Sequence, residues 1–133
     1  METIREIREA VTWGGSEWSQ YEGFEVQTDE QVIRIGISNG QSCCENWGYF
    51  ASEDNFAEFI GATIANIAIT DTALNTRVVE QREELYLDEG DIMFVTVNTS
   101  NGPLQFVAYN SHNGYYGHTA VVESRQLQHE ETL

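Results

Sequence analysis

Apolar and polar residues alternate in several short runs of the chain, which is the pattern of half-buried β-strands. Two such runs occupy residues 23–28 and 32–37. Successive side chains of a strand point to opposite faces, so the three isoleucines of the second run share one face. The pattern predicts a β-hairpin in which Arg34 lies on the other face, exposed to solvent or to a pocket.

The carboxyl-terminal half of the chain contains a second set of strand patterns. Residues 92–97 and 104–109 are rich in apolar, β-branched and aromatic side chains, and residues 100–103 between them include glycine and proline. These runs predict a central hairpin. Residues 119–122 are predicted to pair back on it as the third strand of a meander, and residues 62–69 supply a further strand.

One short helix is predicted to begin at Ser52 and to end at Gly61. A serine side chain can accept a hydrogen bond from the amides of the first helical turn, and glycine suits the left-handed residue that ends a helix. Phe56, Phe59 and Ile60 form the apolar stripe of this helix. The predicted fold class is therefore α+β, a mostly antiparallel sheet of about five to seven strands with one short helix packed on it.

The length suits a single domain that covers residues 1–133. Within it we expect an amino-terminal arm with a Trp/Gly loop at residues 1–22, a sheet core at residues 23–125 and a frayed polar tail at residues 126–133. The start of the arm alternates isoleucines with acids and arginines. This spacing fits a helix, an edge strand or a mobile arm, and the sequence leaves the three open.

Composition and charge narrow the class of protein. No apolar run approaches the ~20 residues that cross a bilayer, and the acidic first residues do not resemble a secretory leader, so we expect a cytoplasmic protein without membrane contact. Six arginines, no lysine and 22 acids give a net charge of −16. Such a surface repels long nucleic acids, and a small anionic ligand must be held by a few local arginines. The same surface could instead imitate DNA, or simply provide solubility.

Residues 109–118 hold the densest group of specialised side chains in the chain. Asn113 and Gly114 suit a tight hairpin turn. The neighbouring Tyr115 and Tyr116 offer flat faces and polar tips to a planar ligand, although aromatic side chains that cover a sheet edge would give the same pattern.

Metal and nucleophile sites are less well supported by the sequence. Cys43 and Cys44 are adjacent, and their spacing to His112 and His118 does not match the paired ligands of a zinc site. A cysteine and histidine could form a nucleophilic pair, but the sequence contains no nucleophile elbow. We therefore expect no metal, no cofactor and no catalytic residue.

A binding pocket is the remaining interpretation. A guanidinium group matches phosphate oxygens, a tyrosine ring stacks on a base for roughly 1–3 kcal/mol, and asparagine can contact base or ribose edges. The predicted ligand-binding residues are Arg34, Asn110, Asn113, Tyr115, Tyr116, His118 and Arg125.

Four features carry a family resemblance: Cys-Cys-Glu at residues 43–45, the short helix ending at Gly61 with the strand after it, the strand at residues 94–99, and His-Asn-Gly-Tyr-Tyr at residues 112–116. Across residues 30–123 this order resembles small phage and bacterial domains and is similar to the phage anti-Thoeris sponge proteins. That family sequesters cyclic ADP-ribose isomers made by TIR-domain immune enzymes, and some members also hold cyclic oligonucleotides.

The resemblance implies a non-catalytic homo-oligomer, a dimer or larger, in the cytoplasm of an infected bacterial host cell. Its partner would be a small anionic nucleotide signal, bound between protomers by arginine, asparagine and an aromatic side chain. The turn motif assigns Asn113, Tyr115 and Tyr116, whereas Arg34 and Arg125 come from the strand patterns. Two other functions stay open: an acidic DNA mimic or protein-binding inhibitor, and a small nucleotide-cleaving enzyme that uses Cys44 or His112.

Overall fold

The computed structural model describes residues 2–15, 19–40, 47–53, 55–70, 91–110 and 118–133. These residues form nine strands, which are β1 (Ile4–Trp13), β2 (Tyr21–Thr28), β3 (Val32–Ser38), β4 (Trp47–Ala51), β5 (Ile64–Thr70), β6 (Asp91–Thr99), β7 (Gly102–Asn110), β8 (Thr119–Glu123) and β9 (Gln128–Thr132).

The strands are arranged in two sheets. One sheet has five strands in the order β1-β2-β3-β8-β9, and the other has four strands in the order β4-β7-β6-β5. All the pairs within the described residues are antiparallel. The arrangement follows from the many short runs with alternating apolar residues, each of which buries one face.

The core lies between the two sheets. From the five-stranded sheet it takes Phe24 and the isoleucines of β3, and from the four-stranded sheet it takes Phe106, all of them almost fully buried. The rings of Phe24 and Phe106 are 4.8 Å apart between centroids, which fixes the contact of β2 with β7. We call the opposite side of the five-stranded sheet, which points away from this core, the outer face.

Both hairpins predicted from alternation are confirmed. β2 pairs with β3, and β6 pairs with β7. Arg34 lies on the outer face, opposite the buried isoleucines Ile33 and Ile35, because their side chains alternate along β3. β1 is an edge strand, one of the three conformations that the sequence left open.

The predicted α+β fold class is wrong, because the described chain is almost entirely antiparallel sheet. Its helical part is a single 3₁₀ turn, Phe56–Phe59, whose cap is Asn55 and not Ser52. Ser52 instead bonds β7: its amide donates to the Gln105 carbonyl at 2.8 Å, and its hydroxyl accepts from the Gln105 amide at 3.0 Å. A long-range partner has therefore replaced the local helix cap.

The predicted meander of three strands is also wrong. β8 pairs with β3 and β9 in the five-stranded sheet, whereas β7 pairs with β4 and β6 in the other sheet. Residues 126–133, expected to be frayed, include β9, which is paired along its whole length with β8.

Candidate ligand-binding site

The predicted site residues within the described chain form two separate groups. Arg34 is near the start of β3, and Arg125 follows the end of β8, which runs antiparallel to β3. His118 lies toward the other end of these strands, where Asn110, the last residue of β7 in the four-stranded sheet, shares the Leu133 carbonyl with it. The five residues of β8 alone span about 16 Å at about 3.3 Å per residue, so His118 and Arg125 do not line one small pocket in a protomer.

His118 and Asn110 are buried and bonded to the protein itself. The His118 Nδ1 atom is 2.6 Å from the Ser38 carbonyl oxygen, and the ring stacks on Trp47 with centroids 5.4 Å apart. The Asn110 side chain donates to the Leu133 carbonyl at 3.1 Å. These contacts tie the ends of β3, β4 and β7 to the last residues of the described chain, which is a structural role.

Arg125 is an exposed turn residue. Its guanidinium is 3.5 Å from the Glu30 carboxylate, and 63% of its side chain is accessible to solvent. Its backbone amide donates to Gln31 Oε1 at 2.8 Å, which joins the β8–β9 turn to the β2–β3 turn. An exposed ion pair of this kind contributes little to stability.

The other predicted ligand-binding residues, Asn113, Tyr115 and Tyr116, lie outside the described residues. The same holds for the cysteine pair at residues 43 and 44, and for His112. Their proposed roles stay predictions.

Arg34 belongs to a group of charged and aromatic side chains on the outer face. Its guanidinium lies over the Trp13 ring at 6.0 Å from the centroid and 3.5 Å from the Glu25 carboxylate. Arg8 approaches the same carboxylate at 3.8 Å, and only 8% of the Glu25 side chain is exposed. We call Arg8, Trp13, Glu25 and Arg34 the outer-face cluster. A buried carboxylate between two guanidinium groups holds the cluster together.

The Trp13 ring packs on Gly36, at a point where two glycines face each other across the ladder. Gly23 and Gly36 are directly opposite in the β2–β3 ladder. A Cβ atom on Gly36 would lie 2.6 Å from the Trp13 ring, so the absence of a side chain makes room for the indole. Tyr21 extends this aromatic surface, with its ring centroid 6.0 Å from that of Trp13.

A groove of about 560 Å³ runs beside this cluster on the same sheet. Its walls include Tyr21, Val121, Glu123 and Glu130. Glu123 is the ladder partner of Arg34, and opposite residues of a ladder share one face, so Arg34 lies on the same face as the groove, next to one of its walls. The site therefore combines a partly exposed guanidinium, the ring of Tyr21 packed beside the buried Trp13, and the acidic side chains Glu123 and Glu130.

Comparison with known proteins identifies the family. Residues 2–122 match the profile of a domain of unknown function, DUF7448. The chain belongs to the DUF7448 family. No curated protein and no solved structure matches it.

In this DUF7448 domain, sequence patterns located only part of the outer-face cluster. The alternation of β3 placed Arg34 on the correct face. Trp13 fell within the Trp/Gly loop expected in residues 1–22, and nothing in the sequence singled out Tyr21 or Glu25. The facing glycines at positions 23 and 36 are the only local signal that the sheet surface there is flat enough to hold a ring.

Two other features are absent from the described part of this DUF7448 domain. No group of three histidine, cysteine or acidic side chains is placed to hold a metal ion there. Within the same residues, no helix has the length and apolar character needed to cross a membrane.

Proposed function

We propose that this domain is a non-catalytic, cytoplasmic binding protein that captures a small nucleotide signal and holds it unchanged. The single observation that carries the proposal is the placement of Arg34, partly exposed between Trp13 and Glu25 and directly opposite Glu123 of the groove. The sponge resemblance makes a cyclic ADP-ribose isomer the first ligand to test, with cyclic oligonucleotides second.

The guanidinium of Arg34 retains hydrogen-bonding capacity for a ligand. Its contact with Glu25 is an ion pair at 3.5 Å, and 38% of the side chain is exposed. Phosphate oxygens accept charge-assisted hydrogen bonds from such a group in a fixed geometry.

The ring of Tyr21 beside the outer-face cluster suits the planar part of a nucleotide. Trp13 is buried beneath Arg34, so the partly exposed ring of Tyr21 next to it is the aromatic surface that a ligand can reach. Stacking of a base on such a surface contributes roughly 1–3 kcal/mol and does not depend strongly on which base is present. Guanidinium and ring together favour a ligand that is both flat and anionic.

The net charge of −16 is compatible with this function. At physiological salt, interactions beyond about 8 Å are largely screened, so a phosphate responds mainly to the guanidinium that it contacts. Long nucleic acids extend over the whole acidic surface and are repelled. The charge thus favours small anions over polymers. The resemblance adds a host-cell cytoplasm, the absence of a cofactor and a homo-oligomer to the proposal.

The test is to mix the purified protein with cyclic ADP-ribose isomers and cyclic oligonucleotides and to measure thermal stabilisation and affinity. The protein is then denatured and the released compound identified by mass spectrometry. We expect one ligand to bind and to be recovered intact. A chemically altered product would instead indicate a nucleotide-cleaving enzyme.

Matched arginine variants locate the site. Arg34→Gln is expected to weaken binding about ten- to a hundredfold, the effect of removing a charge-assisted hydrogen bond. Arg125→Gln removes the same charge from an exposed turn and controls for the overall field. Glu25→Gln releases Arg34 from its ion pair and is expected to tighten binding. Equal affinity in wild type and Arg34→Gln would refute the assignment of Arg34.

A second function is favoured by the acids of the groove. Glu123 and Glu130 line a surface that suits basic side chains, in keeping with a DNA mimic or another protein-binding inhibitor. This function requires salt-sensitive association with a basic nucleic-acid enzyme, and Glu123→Gln with Glu130→Gln should weaken it. No small nucleotide would then bind.

A further inference from the structure

We propose that two copies of this chain associate through β1, in an antiparallel pairing about a two-fold axis at Ile7. β1 lies at the edge of the five-stranded sheet, with β2 as its neighbour in that sheet. On its other side the Ile4 amide and carbonyl bond to Ala62 and Gly61, so the edge open to a second copy begins after Ile4. The outer edge of such a strand offers unpaired backbone donors and acceptors. This proposal does not depend on the ligand-binding function.

The charges of β1 are self-complementary. Residues 5–9 are Arg-Glu-Ile-Arg-Glu. When this segment pairs antiparallel with a second copy about Ile7, Arg5 faces Glu9 of the second copy and Glu6 faces Arg8 of the second copy. The two-fold axis repeats each pair. Opposite charges at facing positions stabilise a ladder, and like charges destabilise it.

The same charges exclude neighbouring registers. An axis at Arg8 would place two arginines face to face, and an axis at Glu6 would place two glutamates face to face. The register about Ile7 is therefore the favoured one.

The faces of β1 agree with this register. Ile7 is opposite the buried Val26 and thus lies on the core side, whereas Arg8 is opposite Glu25 on the outer face. In the paired dimer the two Ile7 side chains meet beside the two cores. The pairs of Glu6 with Arg8 lie on the outer face.

The ladder between β1 and β2 limits the length of this pairing. Its register shifts between Ile4 and Glu6, and again between Arg8 and Val11, where Ala10 has a φ of 58°. Such irregularities shorten the straight part of an edge strand. They lie on both sides of Ile7, so the regular stretch is centred on the proposed axis. We therefore expect a weak, salt-sensitive dimer.

The other edge strands lack this property. In β9, a two-fold axis at the central Glu130 would place two glutamates opposite each other. The edge strands of the four-stranded sheet, β4 and β5, contain no charged residue. Among these edge strands, β1 is thus the one whose charges are complementary to those of a second copy of itself.

Complementary charge reversals test the proposal in the full chain. Arg5→Glu places two glutamates at the facing positions 5 and 9, and Glu9→Arg places two arginines there, so each variant repels itself. Their mixture restores opposite charges at every pair. Glu130→Arg on β9 is the matched control. Both changed positions of β1 are exposed, and circular dichroism and thermal unfolding check that each variant is folded.

Sedimentation velocity at low ionic strength gives the dissociation constant of the dimer. We expect wild type and Glu130→Arg to dimerise alike, each single variant to be weakened about tenfold or more, and the mixture to recover wild-type affinity. A monomeric wild type would overturn the proposal, as would single variants that dimerise normally or a mixture that fails to recover. Nucleotide binding is measured separately, so the capture of a ligand by Arg34 can hold or fail whatever the oligomeric state is.

Discussion

The indole of Trp13 lies directly on Gly36, and a Cβ atom at position 36 would be 2.6 Å from Cη2 of the ring. The Glu22 carbonyl oxygen would be closer still. The outer-face cluster therefore depends on the absence of one methyl group from β3.

Gly36→Ala is expected to lower the free energy of unfolding by about 1–3 kcal/mol, the usual effect of forcing extra volume into a packed site. Urea unfolding followed by circular dichroism measures the change. In a Trp13→Ala background one of the two collisions is gone, so the same substitution should destabilise less. Equal effects in both backgrounds would show that the ring does not pack on Gly36.

Ser52 links β4 to β7 through paired hydrogen bonds with the Gln105 backbone. Ser52→Ala removes the hydroxyl that accepts from the buried Gln105 amide, and we expect a loss of about 1–2 kcal/mol of stability. Ser52→Thr retains a hydroxyl and should recover part of it. If Ser52 were instead a helix cap, Asn55→Ala would have no effect of its own, whereas here it removes the cap of the 3₁₀ turn.

The strands of this fold were predictable where the alternation of apolar and polar residues alone determines their position and their buried face. The β2–β3 hairpin has a short polar turn between alternating runs, and β3 shows its buried face in three isoleucines. The side of the sheet that carries Arg34 follows from the same alternation. Nothing beyond neighbouring residues was needed.

The wrong predictions concern elements whose structure depends on residues that are distant in the sequence. The apolar run that forms β8 would suit either sheet. It pairs with β3, where Val122 faces Ile35, and these two residues are far apart in the sequence. Phe56 and Phe59 do pack toward the core, but a 3₁₀ turn suffices to place them. β9 is polar because an edge strand has little surface to bury, so its sequence gives no apolar signal.

The candidate site was only partly predictable for the same reason. Arg34 and Trp13 belong to strands that are not adjacent in the sheet, and the glycine gap between them brings the two side chains together. His118 and Asn110 have ligand-like chemistry, yet their partners are backbone carbonyls of Ser38 and Leu133. Residue types alone do not distinguish a ligand-binding site from buried polar side chains that bond to the protein's own backbone.

Tyr49 should make the free energy of unfolding depend on pH in the alkaline range. Burial, followed by its hydrogen bond to Glu22 at 2.6 Å, raises the pKa of the Tyr49 hydroxyl above its usual value. The unfolded chain then loses this proton at about pH 10 while the folded chain retains it. The contribution is therefore fully present below about pH 10 and is lost as the pH rises beyond that value.

The comparison of wild type with Tyr49→Phe isolates this effect. We expect the difference in unfolding free energy between the two proteins to be constant from neutral pH to about pH 9 and to shrink above about pH 10. Urea unfolding at a series of pH values measures it. A difference that stays constant through the alkaline range would show that the Tyr49 proton is not held more tightly in the folded protein.

A substitution at Asn110 tests whether its side-chain amide has a structural or a ligand-binding role. Its side chain is 1% exposed and donates to the Leu133 carbonyl, which also accepts from the His118 amide at 3.0 Å. Asn110→Ala should lower the free energy of unfolding by about 1–3 kcal/mol, since a buried acceptor loses one of its donors. The exposed Asn66, bonded to Asn98, is the matched control, and Asn66→Ala should change stability by less than about 0.5 kcal/mol. A stable Asn110→Ala variant that had lost nucleotide affinity would instead return Asn110 to the ligand site.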